Sequence, residues 1–205
     1  MGGSCWGGNP VAVYQKLRHT GLPDESCAPY TGSNKEVFDI PECEDIDICK
    51  SCTGSISDSK GDIESTCRAV SNFKLHYVSG YNIFSGHEDI KKEVVSFGPV
   101  SCGMKVTAAF KNYTRGIYEE SSFLPITNHI ISIVGFGTEN SGEEYWIVKN
   151  TFGTYWGEDG FFRIRMHRDN LGIETYCSSG YPSYELIESE VRYEGHSKEN
   201  DLVYE

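Results

Sequence analysis

From Leu22 to Cys67 the sequence runs polar, rich in Ser and Asp and without a hydrophobic period, yet it holds five of the chain's eight cysteines. Such a stretch buries too little apolar surface to offset the entropy of ordering it, so cross-links must hold it. The cysteines stand at 5, 27, 43, 49, 52, 67, 102 and 177. Two frameworks suit them. One is a set of disulfides in a secreted or lysosomal-type protein. The other is a zinc ribbon on Cys49-x-x-Cys52 with Cys43 and Cys67. Cys43 and Cys67 do not form the second close-spaced hook that a ribbon needs, and Cys102 and Cys177 are left over. Disulfides are therefore expected, with no metal and no other cofactor. A sequon at Asn112-Tyr113-Thr114 makes Asn112 a candidate glycosylation site and fits an oxidising compartment.

The flanking segments carry regular structure. "NPVAVYQKLRHTG" reads as a helix: Asn9 caps it, Pro10 suits its first position and Gly21 ends it. "SGHEDIKKEVVSFGP" reads as a second helix, acidic in its first turn, with Ile90, Val94 and Phe97 on one side and Gly98-Pro99 as its stop. Four strand patterns follow: "PVSCGMKV", "HIISIVGFG", "EEYWIVKN" and "GFFRIRM". Loops and a helix come first and antiparallel-looking strands later, so the fold class is α+β.

Charge and patterning exclude several functions. A net charge of −12 opposes a phosphate backbone, so no nucleic-acid partner is expected. No apolar run is long enough to span a bilayer, and no membrane partner is expected. Neither a secretory leader nor a myristoylation pattern is expected in these residues, Trp6 standing where the latter needs Ser or Thr. Gly135-Phe136-Gly137 has no helix pattern after it and does not read as a nucleotide loop. Beyond Cys177, Glu185, Glu188, Glu190, Glu194, Glu199, Asp201 and Glu205 face only Arg192 and Lys198. Residues 183–205 thus read as a disordered acidic tail.

The residues that carry chemistry lie at strand ends. His129 opens one strand pattern and Asn150 closes another, positions where a rigid sheet presents a side chain to a cleft. An imidazole can take a thiol proton and hold the thiolate as an ion pair. A partner on its second nitrogen then fixes tautomer and ring direction, and an Asn carbonyl does so without adding charge. Alone, His129 reads as well as a packed or surface histidine, and Asn150 as a turn residue. The other histidines (19, 76, 87, 167 and 196) sit in helical or polar contexts with no such partner.

What lifts the pair is its setting. "NHIISIVGFG" followed by "YWIVKNTFGTYWGEDGFFRI" resembles the His and Asn blocks of papain-like cysteine peptidases. The resemblance extends over "GSCWGGN", "HTGLPDESC", the cysteines from 43 to 67, "GPVSCGMKVTAAFKNYTRGIYEE" and "NLGIETYC". More narrowly, it is to family members that trim single residues from a carboxyl terminus. It implies a two-lobe fold: residues 1–68 as part of a helical, disulfide-stapled left lobe, and residues 69–182 as an antiparallel, barrel-like right lobe carrying His129 and Asn150. It also implies substrate contacts at Gly7, Gly8, Asn128, Phe152 and Trp156. The implied disulfides are Cys27–Cys49, Cys52–Cys67 and Cys102–Cys177, with Cys5 and Cys43 left without partners in this chain. Phe152 departs from the family's Trp, so a smaller apolar ring shields the His–Asn bond.

"GSCW" at Cys5 suggests a nucleophile, but the residues argue otherwise. A catalytic thiol belongs in the first turn of a helix, where the dipole lowers its pKa. Gly7-Gly8-Asn9-Pro10 delays any helix past Cys5. The family's oxyanion Gln has no counterpart before it. By the resemblance "CWGG" matches a structural motif downstream of the nucleophile. The expected function is therefore cysteine-type peptide hydrolysis, lysosomal or secreted, on a peptide or protein substrate. The nucleophile is expected on a further N-terminal segment, and these residues alone are expected to be inactive. The alternatives are a non-catalytic relative that binds peptides or a partner protein, and an enzyme that uses Cys5.

Overall fold

A computed structural model describes residues 3–4, 7–27, 29, 44–56, 63–121 and 126–183. Cys5, Cys43 and the acidic stretch from residue 184 lie outside them. In chain order the elements are β1 (Gly3–Ser4), β2 (Gly7–Gly8), α1 (Pro10–Thr20), α2 (Asp45–Ile48), β3 (Lys50–Ile56), β4 (Ile63–Ala69) and β5 (Val78–Phe84). There follow α3 (His87–Phe97), β6 (Val100–Met104), α4 (Ala108–Lys111), β7 (Ile117–Tyr118), β8 (His129–Thr138), β9 (Glu144–Lys149), β10 (Phe161–Arg165) and β11 (Cys177–Pro182). The described residues fall into two compact units, one of those up to 20 with 77–183 and one of those between 21 and 76.

The first unit is built on a seven-stranded sheet in the order β5-β11-β6-β8-β9-β10-β7. Every pairing is antiparallel except the two-residue contact of β10 with β7. Alternate residues of the central strands face one core: Ile131 and Ile133 of β8, Trp146 and Val148 of β9, Phe162 and Ile164 of β10. Phe110 of α4, Met104 of β6 and Ile90 of α3 complete it. Trp146 is fully buried, and its indole N–H finds an acceptor at 2.9 Å on Glu174 Oε1, which removes the cost of hiding that donor.

The two sequence-predicted helices form at the expected places. Asn9 Oδ1 accepts the Val11 N–H at 2.9 Å, Pro10 begins α1, and Gly21 leaves it at φ 63°. Tyr14 lies against Gly180 of β11, where a built Cβ would come within 2.6 Å of its ring, and its hydroxyl pairs with Ser101 Oγ at 2.7 Å. That close approach seats α1 on the sheet and requires glycine at 180. In α3 the inward face differs from the reading. Ile90 is buried and Val94 packs beside the core, but the third inward residue is Glu93, not Phe97. A hydrogen bond of 2.5 Å from Ser179 Oγ makes the burial of Glu93 tolerable. Phe97 ends the helix 57 % exposed, its ring 4.6 Å from that of Tyr181.

The second unit corrects the expectation of loops between Leu22 and Cys67. β3 and β4 pair antiparallel, and Cys52 sits opposite Cys67, so the Cys52–Cys67 disulfide closes the hairpin across its own ladder. Cys27–Cys49 joins the turn at Asp24–Cys27 to the end of α2. Leu22 and His76 exchange two backbone hydrogen bonds, of 2.9 and 2.8 Å, across the ends of the unit. Since Cys49, Cys52 and Cys67 are spent in disulfides, the zinc ribbon does not form.

Cys102–Cys177 belongs to the first unit and joins paired residues of β6 and β11, both buried. It closes a loop with a sequence separation of 75. Replacing both cysteines with Ala should lower stability by ~2–5 kcal/mol, since the unfolded chain regains that loop's freedom and the core loses two packed sulfurs. Urea unfolding monitored by Trp146 fluorescence checks this; an unchanged midpoint would show that the cross-link contributes nothing.

Candidate active site

β8 and β9 run antiparallel, with Ser132 opposite Lys149. The start of β8 and the end of β9 therefore lie at the same end of the sheet, which brings together His129, first residue of β8, and Asn150, first residue after β9. His129 Nε2 is 2.8 Å from Asn150 Oδ1. The Asn150 N–H donates to Gly160 O at 3.0 Å, and its side chain is 5 % exposed.

The proton positions follow from the neighbours. Asn150 Oδ1 also lies 2.8 Å from the backbone N–H of Thr151, a group that can only donate. The amide atom at that point must therefore be oxygen; a flipped amide would set donor against donor. An oxygen facing His129 Nε2 requires that Nε2 carry hydrogen. In the neutral ring Nδ1 then holds the lone pair and is the basic nitrogen.

The pair rests on a line of aromatic rings. Phe152 lies 5.2 Å from the His129 ring at an interplanar angle of 31°. Trp156 meets Phe152 edge-on at 5.2 Å, and behind it stand Phe110 and Phe162, at 5.2 and 5.8 Å. The Trp156 indole N–H donates to Lys111 O at 2.9 Å. Rings this large lose little freedom when packed and hold each other edge to face. The imidazole is thus backed, through two rings, by the core.

The loop from Asn150 to Gly160 has its own clamp. Arg163 of β10 holds Glu158 by two hydrogen bonds, 2.9 Å from Nε and 2.7 Å from Nη2, and the Gly116 N–H donates to the same carboxylate at 2.9 Å. First Arg163, then the Gly116 N–H, hold the Glu158 carboxyl below its usual range, against the opposing effect of burial.

Of the other anticipated site residues, Phe152 and Trp156 join the pair. Asn128 is exposed; its Oδ1 accepts from Val106 N at 2.7 Å and its Nδ2 donates to Val106 O at 3.2 Å, which ties the residue before His129 to the stretch after β6. Gly7 and Gly8 form β2, paired to β1 through Gly3 opposite Gly8 and Ser4 opposite Gly7, and are exposed. Asn112 is exposed at the end of α4. The Thr151 N–H, the Lys111 carbonyl and the Glu158–Arg163 clamp were not found by sequence reasoning. The first two are backbone groups with no residue signature; the third is a charge pair on a turn, which has no periodicity to mark it.

The disulfides are the three that the resemblance implies, Cys27–Cys49, Cys52–Cys67 and Cys102–Cys177. Among the described residues no group of three or more His, Cys, Asp or Glu could hold a metal ion, and no helix is long and apolar enough to cross a membrane.

Two outcomes are expected. Nitrogen-15 NMR of the neutral imidazole should show His129 protonated at Nε2 and bare at Nδ1, and Asn150→Ala should shift the ring toward a mixture of tautomers; a predominantly Nδ1–H ring in the parent chain would contradict the geometry. The Glu158 carboxyl has a folded pKa below its unfolded value, so its contribution to stability is complete above the unfolded pKa, ~4.3. It is lost as pH falls further, through the folded pKa. Glu158→Gln should cost ~1–2 kcal/mol at pH 6 and flatten the acid limb of the stability–pH curve, measured by urea unfolding.

Similarities to known proteins cover this whole framework. The model described as papain family cysteine protease matches residues 1–181. Cathepsin Z of Onchocerca volvulus is 36% identical over 183 residues, 85% of this chain and 54% of that protein. Cathepsin B-like protease 1 of Arabidopsis thaliana is 29% identical across 98% of this chain and 50% of its own length. Among solved structures, proCathepsin B S9 from Trypanosoma congolense superposes with a TM-score of 0.64 at 26% identity, covering 89% of this chain and 56% of its own. The bromelain protease from Ananas comosus shares the fold, with a TM-score of 0.60 at 18% identity over 88% of this chain and 72% of its own. The chain spans about half the length of the curated relatives it matches.

Proposed function

Since the chain belongs to the papain family of cysteine proteases, we propose that His129 and Asn150 are the general base and its orienting partner in thiol-dependent peptide hydrolysis. The observation that carries this is the doubly bonded Asn150 Oδ1, which leaves His129 Nδ1 as the basic nitrogen. In the reaction, Nδ1 takes the proton of a thiol, and the thiolate attacks the peptide carbonyl carbon. The Nδ1–H of the imidazolium then passes its proton to the leaving amine as the C–N bond breaks; water, losing a proton to Nδ1, attacks the acyl carbon, the C–S bond breaks, and the thiolate leaves beside the imidazolium. Asn150 stays neutral and keeps the ring from turning while its charge changes. Phe152 flanks one side of the imidazole, its ring 5.2 Å away.

The thiol is the missing member. Six of the eight cysteines are in disulfides, which leaves Cys5 and Cys43, both outside the described residues. Helix α1 begins at Pro10, so Cys5 is not in its first turn, where a helix dipole acts on a thiol. We take the nucleophile to come from a segment outside these 205 residues, which on their own hydrolyse nothing. By the resemblance of the His, Asn and cysteine blocks, the complete enzyme removes single residues from a carboxyl terminus. Gly7 and Gly8 would offer backbone groups to an extended peptide, as an added strand does. Three disulfides suit a lysosomal or secreted protein.

The test is an epoxysuccinyl or acyloxymethyl ketone probe applied to the oxidised chain at pH 5–6. No covalent labelling and no peptidase activity are expected. Labelling at Cys5 that vanishes in both Cys5→Ser and His129→Ala would overturn this assignment and make Cys5 the nucleophile.

A further inference from the structure

The three disulfides differ in what surrounds their sulfurs. Cys102 and Cys177 are buried, as are Cys27 and Cys49. Cys52 is exposed and Cys67 half-buried. Thiol–disulfide exchange needs a thiolate to reach one sulfur of the pair, so access decides which bond is cut and at which sulfur. Of the three, Cys52–Cys67 is the one that solvent reaches, and Cys52 is its open side. Alternation along β3 puts Lys50 on the same face as Cys52, and the register sets Lys50 diagonal to Cys67. A cation there favours an approaching anionic thiol and a departing thiolate.

The strands around this bond have little else to hold them. Ser51, Thr53, Thr66, Arg68 and Ala69 are exposed as well. A two-stranded ladder without a packed face is marginal in water. The near end of the ladder is tied separately: the Lys50 N–H donates to Cys27 O at 2.9 Å and the Val70 N–H to Cys49 O at 3.0 Å, beside the buried Cys27–Cys49 bond. Cutting Cys52–Cys67 therefore frees the hairpin beyond this end and leaves the end itself in place.

We propose that Cys52–Cys67 is a thiol-exchange site, at which a small-molecule thiol enters at Cys52 and opens the β3–β4 hairpin. The thiolate of the small molecule bonds to Cys52 Sγ, the Sγ–Sγ bond breaks, and Cys67 leaves as a thiolate that takes a proton from solvent. Cys52 then carries the small thiol as a mixed disulfide. A second molecule of the thiol attacks that adduct, releases Cys52 as a thiolate and departs joined to the first. Two thiols are thus oxidised to one disulfide, and the protein cross-link takes up the two electrons. Reoxidation reverses both steps, because the ladder register returns Cys52 to its place opposite Cys67. The exchange needs no active site and stands apart from the catalytic assignment. Thiol-dependent hydrolysis would, however, work in a medium that keeps its nucleophilic sulfur reduced, and such a medium meets this cross-link first.

The experiment treats the oxidised 205-residue chain, its disulfides first read by peptide mapping, with reduced glutathione at neutral pH. Samples are quenched in acid, blocked with N-ethylmaleimide and mapped again by mass spectrometry. The first product should carry glutathione on Cys52 and maleimide on Cys67, with Cys27–Cys49 and Cys102–Cys177 intact. Amide hydrogen exchange should then rise over residues 50–53 and 66–69 and stay slow at Trp146 and Val148. Cys52→Ser/Cys67→Ser should show the raised exchange without any thiol. In Cys5→Ser/Cys43→Ser, which removes competing thiols, the first product should be the same. A starting map without Cys52–Cys67 overturns the proposal, as does a first cut at either other cross-link in the parent or in that variant. Glutathione settling on Cys67, or hairpin exchange that stays unchanged once the bond is cut, overturns it equally.

Discussion

Across the β8–β9 pair, Ser132 faces Lys149 and Ile133 faces Val148, and a bulge before Gly135 restores the alternation beyond it. That register does two things at once. It turns Ile131, Ile133, Trp146 and Val148 inward together, and it places His129 and Asn150 at one end of the sheet. A slip of one residue would send every inward side chain outward and carry Asn150 away from the imidazole. The chemistry thus draws its precision from the same hydrophobic burial that holds the sheet. Each buried large side chain favours the observed register by ~1.5–3 kcal/mol over an exposed alternative, and together they outweigh the ~0.5–1.5 kcal/mol of a single His–Asn hydrogen bond.

The two units reach order by different means. The sheet unit has a core of large residues at or near zero exposure, into which one disulfide is sunk. The second unit has two disulfides and few buried apolar residues among those described; Cys27 and Cys49 are themselves its buried hydrophobics. Its covalent bonds supply what its composition lacks, and Asp24, which accepts the Ser26 N–H at 2.9 Å, shapes the turn that delivers Cys27 to Cys49.

What the sequence revealed follows from which forces act locally. Helix α1 was legible because its cap, first-turn proline and terminal glycine lie within the helix's own length, and the central strands because burial on one face writes alternation into them. The His and Asn positions were legible through motif resemblance, since each alone reads as an ordinary residue. The β3–β4 hairpin was not, because its Ser, Thr and Gly residues show no alternation and read as loop. Glu93 and Phe97 exchanged the places expected of them because a partner on β11, remote in sequence, decides whether a carboxylate can be buried. The tie from Asn128 to Val106 was not legible either, because the two lie 22 residues apart in sequence and meet only in the fold.

These contacts bear on how the imidazole is prepared for its partner. The groups that orient His129 all lie within residues 106–163: Asn150 and Thr151 fix its proton, Phe152 and Trp156 back its ring, and Glu158 with Arg163 clamps the loop that carries them. None requires a thiol to be present. In the proposed reaction, a base built this way would have its orientation settled before the nucleophile approaches. Phe152 spans the distance between His129 and Trp156, which is itself held from behind by Phe110, Phe162 and the Lys111 carbonyl.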